Sequence, residues 1–359
     1  MASRREFASL LLAAPAAWAQ QQQESLPAGE SAQFRTTVDV VVAPVTVLDD
    51  DDNLVNGLQP HDFRLFDNGK EQDIRVDVAY VPISLVIAIQ ASSNVEAILP
   101  QVQKIGPMIQ PLIIGEQGEV AVMAYDHRFR LMADFTADPN KIAGGLKKIT
   151  AGGSSVRLND AVSEAVRMLR SRAPNRRRIL LLIGETRDRG SEARARQVLT
   201  ELQLHNVLLY SVNMSRLVST IMAKAEPPRP DPLPPAARPL PPNVPATPNT
   251  VQQTWGSRGY SAQFIPVFIE IFKATKAIFV DNPMEVYTKA SGGAEFAFMT
   301  QKGLEDAITA IGTELHSQYL ISYNPNNKED GGFHEIEVRI IGRRNLKVRT
   351  RPGYWLGPK

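Results

Sequence analysis

The sequence predicts an α/β protein: a doubly wound, mostly parallel sheet in the middle of the chain, flanked by an antiparallel β-sandwich built from its two ends. Two observations carry this. Between residues 81 and 318, apolar runs of strand length alternate with stretches whose apolar residues recur at helical spacing. That is the pattern of a sheet covered by helices on both faces. In residues 34–80 and 319–359, apolar and polar residues alternate with period two between turn residues, as in antiparallel strands with one wet face.

Composition narrows the function. The 359 residues are 43% hydrophobic and 22% charged, with a formal net charge of +2. Such a balance suits a soluble globular chain and not a nucleic-acid binder with a dense basic surface. Cysteine is absent, which excludes disulfides, thiolate catalysis and cysteine-based zinc sites. The five histidines, His61, His127, His205, His316 and His334, are scattered. None forms an H-E-x-x-H pair, and the chain has neither a G-x-S-x-G elbow nor a phosphate-binding loop ending in Gly-Lys-Ser/Thr.

Residues 1–19 have a basic head at Arg4-Arg5, an apolar stretch from Ala8 to Ala19, and small residues at Ala17 and Ala19. This three-part pattern reads as an export signal. Ser3-Arg4-Arg5-Glu6-Phe7 also resembles the bacterial twin-arginine signal. Residues 20–33 are polar and read as a disordered spacer. The expected mature protein is periplasmic or secreted, without a transmembrane helix.

In residues 34–80, Val38, Val40 and Val42 share one face of the first strand. Pro44 suits an edge strand or a bulge, and Val45 and Val47 resume the alternation. Asp49 to Asp52 read as a hydrated acidic turn, and Asp67-Asn68-Gly69 as a hairpin turn between Phe63–Phe66 and Ile74–Val78. At the other end, Tyr319–Tyr323, Phe333–Ile341 and Leu346–Arg349 are strand-like. The two ends form one sandwich or two small sheets.

The middle begins with the buried strand Ile83–Ile89, then a helical stretch over Val95–Leu112, strands at Glu119–Tyr125 and Phe129–Phe135, and a helix from Asp138 to Ile149. Next come a helix over Asn159–Arg172, the strand Arg178–Ile183, a helix over Ser191–Leu204 and the strand Val207–Val212. Residues 226–249 are a proline-rich insertion, expected to be extended, and Phe264–Phe279 has helical spacing. Helices over Asn282–Lys289 and Lys302–Ser317, with the strand Glu295–Phe298 between them, complete the domain.

In such a sheet, ligands bind in the loops at the carboxyl ends of the strands. Three polar loops qualify: Gln90-Ala91-Ser92-Ser93-Asn94, Gly152-Gly153-Ser154-Ser155, and the run Gly184 to Ser191. Their order and spacing resemble a von Willebrand factor A domain, over roughly residues 80–215 and again near 282–318. The flanking strands resemble those of a related group known mainly from acidobacteria. The resemblance implies a Rossmann-like fold and a metal-ion-dependent adhesion site, in which D-x-S-x-S, a Thr after a Gly pair and an Asp hold magnesium or a similar ion. Here Gln90 stands for the first Asp, Ser92 keeps the first Ser and Asn94 replaces the second. Ser154 or Ser155 stands for the Thr, and Glu185 for the last Asp.

Magnesium wants near-octahedral oxygen ligands including carboxylate. Gln90 removes a negative charge, so magnesium or manganese is expected to bind weakly and no cofactor is required. The expectation is a non-enzymatic binding or adhesion protein that engages a protein or envelope partner at this rim. A scaffold subunit of an envelope complex, and a serine hydrolase built on Ser92 or Ser154, are the other readings. Asp126-His127 reads as an exposed turn.

Overall fold

The computed structural model describes residues 40–77, 81–214, 282–329, 331–343 and 345–356. The expected export signal, spacer, proline-rich insertion and Phe264–Phe279 helix lie outside them.

The N-terminal part contributes β1 (Val41–Leu48), β2 (Phe63–Asp67), β3 (Lys70–Glu71) and β4 (Ile74–Asp77). The middle contributes β5 (Ile83–Gln90), β6 (Glu119–Tyr125), β7 (Phe129–Thr136), α1 (Pro139–Lys147), α2 (Leu158–Arg170), β8 (Arg177–Gly184), α3 (Ala195–Leu204), β9 (Val207–Met214), α4 (Pro283–Ser291), β10 (Glu295–Phe298) and α5 (Gln301–Ser317). The chain closes with β11 (Tyr319–Tyr323), β12 (Gly332–Ile340), β13 (Lys347–Arg349) and β14 (Gly353–Leu356).

Among the described residues these strands form three sheets: β13-β1-β11-β4, β14-β12-β2-β3 and the central β10-β9-β8-β5-β6-β7. Each small sheet takes strands from both ends of the chain, so the two ends form one sandwich. Val41, Ala43, Val45 and Val47 of β1 meet Phe63, Leu65, Tyr319, Ile321 and Ile336 in its core. The Phe63 and Tyr319 rings lie 5.0 Å apart.

Two details of the strand reading change. The face of β1 that packs into the sandwich core is its odd-numbered residues throughout, and Val40 is 51% exposed. Pro44 pairs with Leu320 of β11 in a stretch where β13, which joins only at Thr46–Leu48, has not begun. The missing proline N–H therefore costs no ladder bond, and the alternation passes through without a shift. The Asn68-Gly69 turn forms as expected, both residues at positive φ, but its second arm is the short β3. Ile74–Asp77 crosses instead to β11 in the other sheet.

In the central sheet β5, β6, β8, β9 and β10 run parallel and β7 pairs antiparallel with β6. Every residue of β5 is buried, as its unbroken apolar run requires. Alternate residues serve two cores. Leu85, Ile87 and Ile89 pack with the 93–114 stretch, α1 and α5. Val86 and Ala88 pack with α2, α3 and α4. The expected Val95–Leu112 helix is instead a chain of short turns, because Pro100, Pro107 and Pro111 each remove a helical N–H. The third helix starts at Ala195, later than expected, since residues 188–193 are held elsewhere by the network described below.

Candidate functional site

Because β5, β6 and β8 are parallel and adjacent, their carboxyl ends meet at one edge. Gln90 sits level with Tyr125, and Ile89 with Ile183. The side chain of Gln90 is fully buried there. Its Nε2 donates to Ser92 Oγ at 2.8 Å and to Glu185 Oε2 at 3.1 Å. Its Oε1 accepts the backbone N–H of Glu185 at 2.7 Å. One neutral amide therefore ties the first loop to the third.

The second loop is stitched to the first through backbone: Gly152 N donates to Ala91 O at 2.7 Å, and Ser93 N to Gly153 O at 3.2 Å. Asp126 completes the joint. The sequence suggested an exposed turn here; Asp126 itself is fully buried, while His127 and Arg128 after it are exposed. The Asp126 carboxylate accepts from Arg128 N at 2.9 Å and Gly153 N at 3.2 Å, with His127 Nδ1 at 3.2 Å and Arg130 Nη2 at 3.7 Å. Gly152 has no substitute at this approach, since a Cβ there would lie 1.8 Å from Asp126 Oδ2.

The third loop is strapped to the start of α2. Asp188 accepts from Leu158 N at 2.9 Å and from Ser191 Oγ at 2.6 Å. Asp160 accepts from Ala193 N at 2.7 Å and from Arg157 Nε at 2.7 Å. Asp188 thus serves the first orphan N–H of the helix in place of a local cap. Second and third loops also meet at Arg189 N to Val156 O, 2.9 Å.

Of the expected rim residues, Gln90 contacts both Ser92 and Glu185. Asn94, Ser154 and Ser155 stand on the same edge, with Ser154 exposed and the other two half-buried. Sequence reasoning missed Asp126, Asp188 and Tyr125. The Tyr125 hydroxyl is buried without a partner among the described residues, and a Cβ on Gly184 would lie 2.5 Å from it. Burial, with Glu185 and Asp188 nearby, pushes this phenol well above its usual range. It is a neutral donor on the floor of the site.

No protein-family model matches the chain, and no curated protein matches it. Several solved structures do. The conserved hypothetical protein BatB from Bacteroides thetaiotaomicron is 12% identical, with 64% of this chain and 99% of that one covered and a TM-score of 0.38. The vWF domain of the type V pili tip protein Mfa5 from Porphyromonas gingivalis is 18% identical, covering 29% and 38%, with a TM-score of 0.26. The SpRpn10 VWA domain is 11% identical, covering 39% and 79%, with a TM-score of 0.30. Counted within the domain, the sheet order here is 3-2-1-4-5-6 with the third strand reversed. That is the strand order of a doubly wound, Rossmann-like sheet.

The resemblance to a von Willebrand factor A domain implies an adhesion-site ion at this edge. Where an ion would need lone pairs, Gln90 presents amide hydrogens to Ser92 and Glu185. Among the described residues Glu185 is the single carboxylate hydrogen-bonded to Gln90 or Ser92, and Asp126 is turned toward backbone N–H groups and His127. Ser92 Oγ meets an amide, and no hydrogen bond joins a serine to a histidine among the described residues. No described helix is long and apolar enough to cross a membrane.

Proposed function

We propose that this protein is an exported interaction module of the von Willebrand factor A type that engages a protein or envelope partner at the loop edge without a divalent ion. The observation that carries the reading is the Gln90 amide, which puts its Nε2 between Ser92 Oγ and the Glu185 carboxylate. It supplies, as a neutral donor, the bridging that a cation supplies in a metal-bearing site. The rim would consist of Gln90, Ser92, Asn94, Ser154, Ser155 and Glu185, preorganised by Asp126 and Asp188. Exposed Arg128, Arg187 and Arg189 stand beside it. They favour an acidic partner surface, whose carboxylates would meet guanidinium groups.

The test is capture from a cell-envelope extract with the immobilised mature chain, against a Ser92→Ala/Glu185→Ala double variant and an Arg187→Ala/Arg189→Ala double variant. A specific partner should be retained by the wild type in the presence of a chelator, with roughly tenfold or greater loss in the variants. Retention that disappears on chelation, or that both variants preserve, overturns the reading.

A further inference from the structure

A second site lies at the opposite end of the central sheet. Where β8 and β9 begin, the outer face of the sandwich sheet approaches the α/β domain and leaves a cavity of about 330 Å³, within the range of small-molecule sites. Val42, Pro44 and Leu320 form its sandwich wall, and Ile179, Leu202 and Leu208 its domain wall. Four arginines also line it; Arg176 pairs with Glu119 at 3.2 Å, and the other three are Arg177, Arg178 and Arg351.

Their pairing is unusual. Among the described residues none of the three has a carboxylate within ion-pair distance. Arg351 is 5% exposed; its Nε donates to Gly353 O at 3.0 Å and its Nη1 to Asn206 Oδ1 at 2.7 Å, while its Nη2 has no partner among the described residues. Arg178 donates to His205 O and Arg172 O, and its buried Nε has no partner among the described residues. Arg177 donates to Leu315 O and Gln318 Oε1. Neutral acceptors solvate these cations without neutralising them. Burial accordingly pushes Arg351 down to about 10, and Arg178 is lowered for the same reason. Asp77 contributes a carboxylate to the lining, and it is exposed to solvent. Buried cations without counter-charge are costly to keep, and guanidinium groups lining a cavity that also has apolar walls give that cost a use.

We infer that this cavity binds a small organic anion, a monocarboxylate with an apolar body, its carboxylate held by Arg351 and Arg178 and its body against Val42 and Leu320. The site spans the sandwich and the α/β domain, so its occupant would brace one against the other. It shares no residue with the loop edge, and the function proposed above stands or falls separately.

Calorimetry and thermal unfolding of the full mature chain test this with octanoate, with octan-1-ol as the uncharged body and with inorganic phosphate as the charge without a body. Octanoate should bind and raise Tm, with octan-1-ol and phosphate each weaker by about tenfold or more. Arg351→Met should lose about tenfold or more in octanoate affinity. If circular dichroism shows that this variant misfolds, Arg178→Met is read in its place. Val42→Trp, which fills the cavity from the sandwich side, should abolish binding. Equal binding of octan-1-ol would make this an apolar void only, and equal binding of phosphate would remove the apolar body. Absence of octanoate binding, or binding indifferent to Val42→Trp, overturns the inference.

Discussion

Gln90 grips Glu185 at two points: its Oε1 accepts the Glu185 backbone N–H at 2.7 Å while its Nε2 donates to Glu185 Oε2 at 3.1 Å. Aspartate is a methylene shorter and has no hydrogen to give. Without a divalent ion, Gln90→Asp should therefore leave the Glu185 N–H poorly served and set two carboxylates facing each other. We expect a loss of about 1–3 kcal/mol by urea unfolding in a chelator. Magnesium should raise the Tm of that variant, because an ion that binds only the folded state stabilises it, and should leave wild type unmoved below the millimolar range. Micromolar affinity of magnesium or manganese for wild type would show that the amide does not keep the ion out.

Two glycines separate close approach from mere helix placement. Gly152→Ala drives a methyl into Asp126, the hub of the first two loops. It should cost about 1–3 kcal/mol and weaken partner retention with it. Gly144 lies within α1 with nothing within 4 Å of a Cβ placed there, so Gly144→Ala should gain about 0.5–1 kcal/mol. Equal effects at both positions, measured by chemical denaturation, would mean that Asp126 does not order the edge.

The parallel sheet was readable because its strands are buried on both faces: Ile83–Ile89 and Arg178–Ile183 are apolar runs that no amphipathic element would carry. The sandwich was readable as alternation at both ends, but not its pairing. Which strand of the N-terminal segment meets β11 or β12 is decided by contacts between residues some 250 positions apart, on which local periodicity is silent. The same holds at the site. Gln90, Ser92 and Glu185 stood out through their place in loops after strands. Asp126 did not, because a carboxylate next to His127 after a strand looks like any solvated turn until Gly153 is seen to donate to it. Val95–Leu112 kept helical spacing while its three prolines set the breaks.

Asp67 ties the two ends of the chain together. Fully buried, it accepts from Tyr354 Oη at 2.7 Å, Tyr323 Oη at 3.0 Å and Asn327 Nδ2 at 3.0 Å, with His334 Nδ1 at 2.7 Å. Every one of these partners belongs to the C-terminal segment. Asp67→Ala strands four polar groups in the sandwich core and should cost about 3–5 kcal/mol, whereas Tyr354→Phe removes one of the four bonds to Asp67 and should cost about 1 kcal/mol. A near-neutral Asp67→Ala in urea unfolding would mean the sandwich is not held at this point.

Glu119 sets a pH dependence at the base of β6. It receives Arg172 through two bonds, Nε to Oε1 at 2.8 Å and Nη2 to Oε2 at 2.7 Å. Ser84 Oγ donates at 2.6 Å, and Arg176 Nε lies 3.2 Å away. Burial alone would raise its carboxyl, but the Arg172 and Ser84 bonds and the two guanidinium charges outweigh it, and the group is held below its ordinary 4.5. The sign follows. A carboxyl lowered on folding binds fewer protons in the native state than in the unfolded one, so its contribution is complete above the unfolded value and is lost as pH falls through the folded one. Glu119→Gln should therefore destabilise the chain at pH 7, by about 1–3 kcal/mol for a paired, partly buried carboxylate. The gap between variant and wild type should narrow below about pH 4.5 as wild-type Glu119 takes up its proton. Denaturation midpoints of the two chains across this range decide the matter, and a gap that stays constant with pH would rule out a charged Glu119 as the source of the stability.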